Sequence, residues 1–213
     1  MLFRSFDIAA LQYLYDAANV TSGTTYSWNA DQRFFQTIWD PSGLSSIDLS
    51  NQTKANIVDL RAGKQSSIAM RGAYDDMPFT QSEYGALTTT VNGKSVKISS
   101  LIGRPTYTGS NNLTIAAGSR VNQVIGGSGT DTIITNAEQN TVETGNGDDK
   151  VYLSGTAAGI DGTTIDGGQG SDTLYVRKLA GHSWSFSGAT LTLTKAATNT
   201  QSAQQIEIGR AHV

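Results

Sequence analysis

The chain has 213 residues, enough for one elongated domain or for one domain with a short appendage. It contains 23 glycines and no cysteine, so disulfide bonds cannot hold the fold together. The formal net charge of −3 and the lack of a basic cluster argue against nucleic acid and anionic membranes as partners. No run of apolar residues reaches the ~18 that are needed to span a bilayer.

The two ends of the chain are atypical of a natural protein. Residues 1–5 and 207–213 resemble translated adapter sequence from short-read sequencing, so we leave them out of the fold prediction. We therefore expect the chain to be an internal fragment of a longer protein.

The first predicted element is a helix at the start of segment 6–23. Asp7 is suited to the N-cap position, and apolar residues recur at helical spacing to form one stripe. The stripe consists of Ile8, Leu11, Leu14 and Tyr15. Because an isolated helix of this length is marginal in water, we expect the stripe to pack against another part of the protein.

Residues 24–105 are predicted to form an irregular β region with an inserted hairpin. Short strand-like segments alternate with turn residues in its first half. These segments are 25–28, 37–39, 47–49 and 55–60. In the insertion, β-forming residues flank Asn92 and Gly93, which is typical of a hairpin closed by a type I′ turn.

Residues 106–176 contain the strongest pattern, a nine-residue repeat. Three runs, starting at Gly126, Thr144 and Gly167, fit G-G-x-G-x-D-x-U-x, where U is a large apolar residue; only Thr144 departs from it. The apolar position recurs every nine residues and resumes after five extra residues. It is occupied by Ile115, Val124, Ile133, Val142, Val151, Ile165 and Leu174. A register of this kind predicts a β-solenoid.

Each repeat is expected to supply a six-residue turn and a three-residue strand that points one side chain inwards. Two repeats make one coil, so turns two repeats apart stack on the same edge. One edge, here called the acidic edge, receives the turns 126–131, 144–149 and 167–172. The other, here called the opposite edge, receives 117–122, 135–140 and 158–163, with Asn122, Asn140 and Thr163 at the sixth position.

The acidic edge is predicted to place Asp131, Asp149 and Asp172 in one row. Two carboxylates about 4 Å apart repel each other by roughly 4 kcal/mol at an effective dielectric constant near 20, so the row needs a cation. Oxygen ligands without cysteine or clustered histidine favour Ca²⁺ over a transition metal. The alternative is a flexible Gly- and Asp-rich linker, against which the periodic apolar position argues. The opposite edge is expected to pair through side-chain amides and to bind little metal.

After residue 176 the repeats end and an alternating pattern follows. The segments 183–186 and 190–194 alternate on either side of Gly188, which predicts a β-hairpin. We expect residues 177–206 to form a truncated hairpin that caps the open end of the solenoid.

The nonapeptide runs resemble the RTX parallel β-roll, in which calcium lies between stacked turns. The resemblance implies an all-β fold: a right-handed parallel β-roll with a short N-terminal helix, an inserted hairpin and a C-terminal capping hairpin. It also implies two calcium sites. The first would use the carbonyl groups of Gly127 and Gly129 with Asp131, facing Thr144, Asn146 and Asp149. The second would use Gly145, Gly147 and Asp149, facing Gly167, Gln169 and Asp172, if the five-residue insertion loops out.

Residues outside the repeats resemble the serralysin family of secreted zinc metalloproteases. The similar segments are 7–15, 38–43 and 47–50. The resemblance implies that residues 6–23 end a preceding catalytic domain, which would hold the zinc, and that the protein is secreted to the extracellular space. The sequence departs from the family at Ser45 and near Asn122, where acidic residues are expected. This argues against calcium at Asp40 and in the turn 117–122.

The chain itself is not predicted to be an enzyme. The zinc-binding helix of such proteases requires H-E-x-x-H, whereas the histidines here are His182 and His212. A G-x-S-x-G motif and a thiol nucleophile are also absent from the sequence.

Two functions remain open from the sequence. The first is a calcium-binding β-roll fragment of a serralysin-like protease, which folds on extracellular calcium to support secretion and stability. The second is a repeat module of an RTX adhesin or other surface protein, which further repeats upstream would favour. We expect a monomer whose partners are calcium ions and the upstream protease domain.

Overall fold

The structure, a computed structural model, describes most of the predicted β regions. The described ranges are 22–30, 34–69, 88–97, 109–155, 162–176, 182–187, 190–195 and 203–209, with single positions at 8, 10, 11, 13, 14, 32, 86 and 160. The predicted N-terminal helix falls mostly outside them. Its five described positions have helical backbone, but Leu11 and Leu14 are 41% and 67% exposed, so they do not pack into the core of this chain.

The described residues form an all-β fold. Its strands in the first half of the chain are β1 (Thr25–Ser27), β2 (Gln36–Ile38), β3 (Ser45–Asp48), β4 (Ile57–Asp59), β5 (Gln65–Ser66), β6 (Thr88–Val91) and β7 (Lys94–Lys97). The second half contributes β8 (Leu113–Ile115), β9 (Val121–Ile125), β10 (Thr132–Ile134), β11 (Thr141–Glu143), β12 (Lys150–Leu153), β13 (Thr164–Asp166), β14 (Thr173–Val176), β15 (His182–Ser187), β16 (Thr190–Lys195) and β17 (Ala203–Gly209).

From β9 to β14, the repeat strands alternate between two sheets, in which they pair in parallel, whereas β8 pairs with β2 and β5 in a separate sheet. The first sheet has the order β1-β3-β9-β11-β13-β17-β16-β15, and the second has the order β14-β12-β10-β4. Successive repeats therefore enter different sheets, and repeats two apart pair directly. In the pairing of β10 with β12, Ile133 lies opposite Val151, and in that of β11 with β13, Val142 lies opposite Ile165. The predicted parallel stacking is confirmed.

The inward apolar positions of the repeats form the core between these sheets. Ile115, Val124, Ile133 and Val142 are at most 1% exposed, and Leu174 packs against the same cluster from a partly buried position. Each one-residue shift of register would turn these side chains outwards, because side chains alternate along a strand. The nine-residue spacing therefore fixes the register of the coils.

Both sheets continue into residues that precede the repeats. β3 pairs in parallel with β9, and β4 pairs in parallel with β10. Ile47 and Val58 supply the buried positions and lie opposite Val124 and Ile133. The sequence indicates only an irregular β region here, because the turns before these strands lack the repeat glycines while the inward apolar residue is kept.

Both predicted hairpins have antiparallel strands in the structure. In the inserted hairpin, β6 pairs with β7, and Asn92 and Gly93 have φ angles of 51° and 77°, as a type I′ turn requires. In the C-terminal hairpin, β15 pairs with β16. β16 then pairs with β17, which runs parallel to β13 and reaches Gly209. Residues 207–209, which the sequence analysis leaves out of the fold prediction, pair with β13 through their backbone.

Candidate metal centre

The turns of the acidic edge stack through their backbones. Asn146 N donates to Gly127 O at 3.0 Å, and Gln169 N donates to Gly145 O at 2.9 Å. Gly147 N in turn donates to Gln169 O at 2.8 Å. These bonds join 126–131 to 144–149 and 144–149 to 167–172, as the repeat spacing predicts.

Each aspartate of the row contacts the backbone of the preceding turn. Asp131 N donates to Asp149 Oδ1 at 2.6 Å, and Asp149 N donates to Asp172 Oδ1 at 3.0 Å. Asp131 and Asp149 are each 1% exposed. The structure thus brings the three predicted carboxylates together on one edge of the roll.

The glycines of the second and third turns allow carbonyl groups to approach closely. Gly145 and Gly147 have φ angles of +94° and +125°, which L-residues with a side chain rarely adopt. A Cβ on Gly145 would collide with Gly127 O, and a Cβ on Gly147 would lie 2.5 Å from Gly129 O. Gly168 and Gly170 stand in the same relation to the carbonyl oxygens of Gly145 and Gly147. The carbonyl groups of one turn are therefore aimed at the next.

The carboxylates are electrostatically strained when no cation is near. Burial raises the pKa of Asp149 to about 6 against the opposing effect of hydrogen bonds from Asp131 N and Thr144, and the charges of Asp131 and Asp172 add a smaller upward effect. Burial also raises the pKa of Asp131, although Gly127 and Asn56 donate hydrogen bonds to it. The Oδ2 atoms of Asp149 and Asp172 are buried and have no hydrogen-bond partner among the residues that the structure describes. An unpaired buried carboxylate oxygen is costly, so this site fits a bound cation.

The remaining predicted ligands lie in the same stack. Thr144, which replaces the first glycine of its repeat, is fully buried and donates its hydroxyl group to Gly167 O at 2.8 Å. The backbones of Asn146 and Gln169 form a parallel bridge. The coordination of a metal by these residues stays a prediction.

The five-residue insertion does not disturb the third turn. β12 and β14 pair in register from Lys150 opposite Thr173 to Leu153 opposite Val176. Ile160 is 2% exposed and accepts a hydrogen bond from Thr163 N at 3.1 Å, so the chain has returned to the roll by that point. Residues 156–159 lie outside the described residues.

No three acidic or histidine side chains of the described residues converge on a single point. The aspartates instead form a ladder with one carboxylate for each turn. A cation between two successive turns would therefore be shared by two carboxylates and by carbonyl groups, an all-oxygen set of the kind that calcium prefers.

Sequence reasoning missed a fourth turn on this edge. Asn56 N donates to Asp131 Oδ1 at 2.7 Å, and Ser128 N donates to Gln52 O at 2.9 Å, so residues 51–56 stack on 126–131. The two turns are 75 residues apart in the chain, and the earlier one has neither glycine nor aspartate. In the sequence, this turn is indicated only by the strand pattern of β4, which follows it.

The opposite edge is held by amide groups and by one ion pair, among the residues described there. Asn136 Nδ2 donates to Asn122 Oδ1 at 2.8 Å, and Asn140 Nδ2 donates to Asn136 Oδ1 at 3.0 Å, so side-chain amides do pair here, but through Asn136, which the prediction did not include. Arg120 Nε lies 2.8 and 2.9 Å from the two carboxylate oxygens of Glu138. The guanidinium group lowers the pKa of Glu138.

Asp40 also lies in a turn of the opposite edge, at the start of residues 40–45. It is 1% exposed, and burial alone would raise its pKa. Hydrogen bonds from Ser42 and Ser45 outweigh that effect and lower the pKa. Protein donors therefore stabilise this carboxylate, and Ser45 stands where the resemblance expects an acidic residue.

Comparison with known proteins agrees with this geometry. Residues 118–155 and 159–176 match the family of the RTX calcium-binding nonapeptide repeat, in four copies. No curated protein is significantly similar to the chain. Helices long and apolar enough to cross a membrane are not found in the part of the chain that the structure describes. The matched residues are thus RTX calcium-binding repeats, folded as parallel coils.

Proposed function

We propose that this chain is a calcium-binding β-roll whose acidic edge is completed by Ca²⁺. The observation that carries the proposal is the ladder of Asp131, Asp149 and Asp172, in which two buried carboxylate oxygens have no hydrogen-bond partner among the described residues. The glycine turns beside it place the carbonyl oxygens of each turn against the glycines of the next. Ca²⁺ would pair with the unpaired carboxylate oxygens of this oxygen-rich edge.

Two sites follow from the stacking of the turns. Between the first two turns, the carbonyl groups of Gly127 and Gly129 and the carboxylate of Asp131 would face Thr144, Asn146 and Asp149. Between the next two, Gly145, Gly147 and Asp149 would face Gly167, Gln169 and Asp172. Asp149 would belong to both sites.

Calcium binding would be coupled to stability. The ladder resists folding while its carboxylates are ionised and unpaired, so metal-binding energy becomes folding energy. Extracellular calcium modules bind with dissociation constants of roughly 0.1–1 mM. At about 1 mM calcium, a site of about 0.1 mM affinity would stabilise the fold by about 1.4 kcal/mol. The roll would therefore be less stable where calcium is scarce.

The wider context of the chain is also a proposal. We infer that the roll is right-handed and comes from a secreted, extracellular serralysin-like metalloprotease, as a monomer without catalytic activity of its own. The support is the similarity at residues 7–15, 38–43 and 47–50, together with the secretion that is typical of RTX proteins. Zinc would then belong to the upstream catalytic domain.

An RTX adhesin or another RTX surface protein is the alternative parent. The family match covers the repeats alone, and such repeats occur in both kinds of protein. The sequence upstream of Phe6 distinguishes the two: a zinc-binding helix supports the protease, whereas further repeats support the surface protein.

A calcium titration followed by circular dichroism tests the proposal. We expect the β signal and the thermal midpoint of the full chain to rise as calcium reaches millimolar concentration. Asp149→Asn removes the shared carboxylate, so it should abolish most of this response while leaving the metal-free protein at least as stable. Asp148→Asn is the matched control, because Asp148 is exposed and adjacent, and an amide oxygen can keep the hydrogen bond that Asp148 Oδ1 accepts from Ser171 N. Equal calcium responses in both variants would contradict the proposal.

A further inference from the structure

The turn formed by residues 51–56 occupies a place in the ladder. Asn56 N donates to Asp131 Oδ1 at 2.7 Å, just as Asp131 N donates to Asp149 Oδ1 at 2.6 Å and Asp149 N donates to Asp172 Oδ1 at 3.0 Å. A Cβ on Gly127 or Gly129 would meet the backbone of Gln52 or Lys54. Residues 51–56 thus contact the first repeat turn in the way that the repeat turns contact one another.

The sixth position of this turn carries an amide instead of a carboxylate. Asn56 is 1% exposed, and its Nδ2 donates to Asp131 Oδ1 at 2.9 Å. Its Oδ1 accepts from Ala69 N at 2.9 Å, which fixes the orientation of the amide. The positive end of the amide dipole therefore points at the first aspartate of the ladder.

The hydrogen bonding of the aspartates differs along the ladder. Oδ1 of Asp131 accepts two hydrogen bonds from Asn56, and its Oδ2 accepts one from Gly127 N at 2.9 Å. Within the described part of the chain, the Oδ2 atoms of Asp149 and Asp172 have no hydrogen-bond partner. Asn56 Nδ2 also donates to Lys54 O at 3.0 Å, a carbonyl group in the position that Gly129 O has in the next turn.

We propose that Asn56 ends the calcium ladder, because its side-chain amide replaces a cation between residues 51–56 and 126–131. This inference rests on the proposed function. Calcium binds between the repeat turns, and the amide closes the N-terminal end of the row without metal. The neutral side chain also spares the ladder a fourth negative charge. The number of calcium ions is thereby set by one residue outside the repeats.

Substitution of Asn56 by aspartate tests this role. Because the backbone contacts are already in place, Asn56→Asp should add a third site, and calorimetric titration of the full chain should give one more bound calcium than the original protein. Thr53→Asp adds the same charge at an exposed position of the same turn and should leave the number unchanged. The inference is overturned if the Asn56→Asp protein folds but binds the same number of calcium ions as the original protein. It is also overturned if the variant is unfolded and calcium fails to refold it.

Asn56→Ala tests the same contact without creating a site. It removes the three side-chain hydrogen bonds with Lys54, Asp131 and Ala69, so the thermal midpoint should fall by a similar amount with and without calcium, and the number of bound ions should not change. Loss of one calcium would show that Asn56 is a ligand and would overturn the inference, as would an unchanged midpoint. Absence of calcium binding by the original protein would instead contradict the proposed function, while the metal-free midpoint of Asn56→Ala would still test the contact.

Discussion

At the scale of the single residue, Asp149 is the carboxylate on which both candidate sites depend. It is 1% exposed, and burial raises its pKa to about 6, above the ~4 of an aspartate in an unfolded chain. Between about pH 4 and pH 6 the native state therefore binds more protons than the unfolded state. The free energy of unfolding of the metal-free protein should fall as the pH rises through this window.

Thermal unfolding at two pH values measures this effect. We expect the metal-free protein to have a higher thermal midpoint at pH 5 than at pH 7, because protonation removes the repulsion along the ladder. Saturating calcium should raise the midpoint more at pH 7, since it binds the ionised carboxylates. Asp149→Asn should weaken the pH dependence of the metal-free protein. The same pH dependence with and without this substitution would argue against a strained Asp149.

At the scale of the element, a glycine in the glycine-rich turn can be required for two reasons: a positive φ angle and the close approach of a carbonyl oxygen. Comparison of Gly145 with Gly63 separates these two reasons. Gly145 and Gly63 both have positive φ angles, of +94° and +78°. A Cβ on Gly145 would collide with Gly127 O, whereas a Cβ on Gly63 would meet nothing within 4 Å. Alanine at Gly63 therefore introduces backbone strain alone. Alanine at Gly145 introduces the same strain and also displaces Gly127 O, a proposed calcium ligand.

The two alanine variants should differ in their response to calcium. We expect Gly63→Ala to lower stability by roughly 1–2 kcal/mol, the cost of a left-handed conformation, with an unchanged midpoint of the calcium titration. Gly145→Ala should lower stability further and shift that midpoint to higher calcium. Chemical denaturation and circular dichroism measure both quantities. An identical calcium midpoint in the two variants would mean that Gly127 O does not bind the metal.

The elements that the sequence predicts well are those with local signals. The nine-residue register placed Ile133 and Val142 in the core, and Asn92 with Gly93 located a hairpin turn. The coil that contains β4 could not be placed, because its pairing with β10 joins segments far apart in the chain and its turn carries Asn56 where a repeat carries aspartate. The buried apolar residue of β4 does not identify its partner strand, because any strand of the roll could supply such a residue.

At the scale of the whole molecule, the two edges of the roll are held by different chemistry. The acidic edge has two buried carboxylate oxygens without a hydrogen-bond partner among the described residues, whereas the opposite edge contains a cation, Arg120, bound to Glu138. Asparagine amides pair on the opposite edge, where Asn140 Oδ1 is a neutral buried oxygen that also has no partner among the described residues. Removal of calcium should therefore loosen one edge and spare the other, although both edges enclose the same core.

Hydrogen exchange of backbone amides can resolve the two edges. The amides of Asp131 and Asp149 donate to ladder carboxylates, while the amide of Asn140 donates to Thr163 Oγ1 at 3.1 Å on the opposite edge. We expect calcium removal to speed exchange at the two aspartates by at least about tenfold, corresponding to about 1.4 kcal/mol of local stability, with a smaller change at Asn140. Equal loss of protection on both edges would mean that calcium stabilises the roll as one unit, because the core then transmits the strain of the ladder across both sheets.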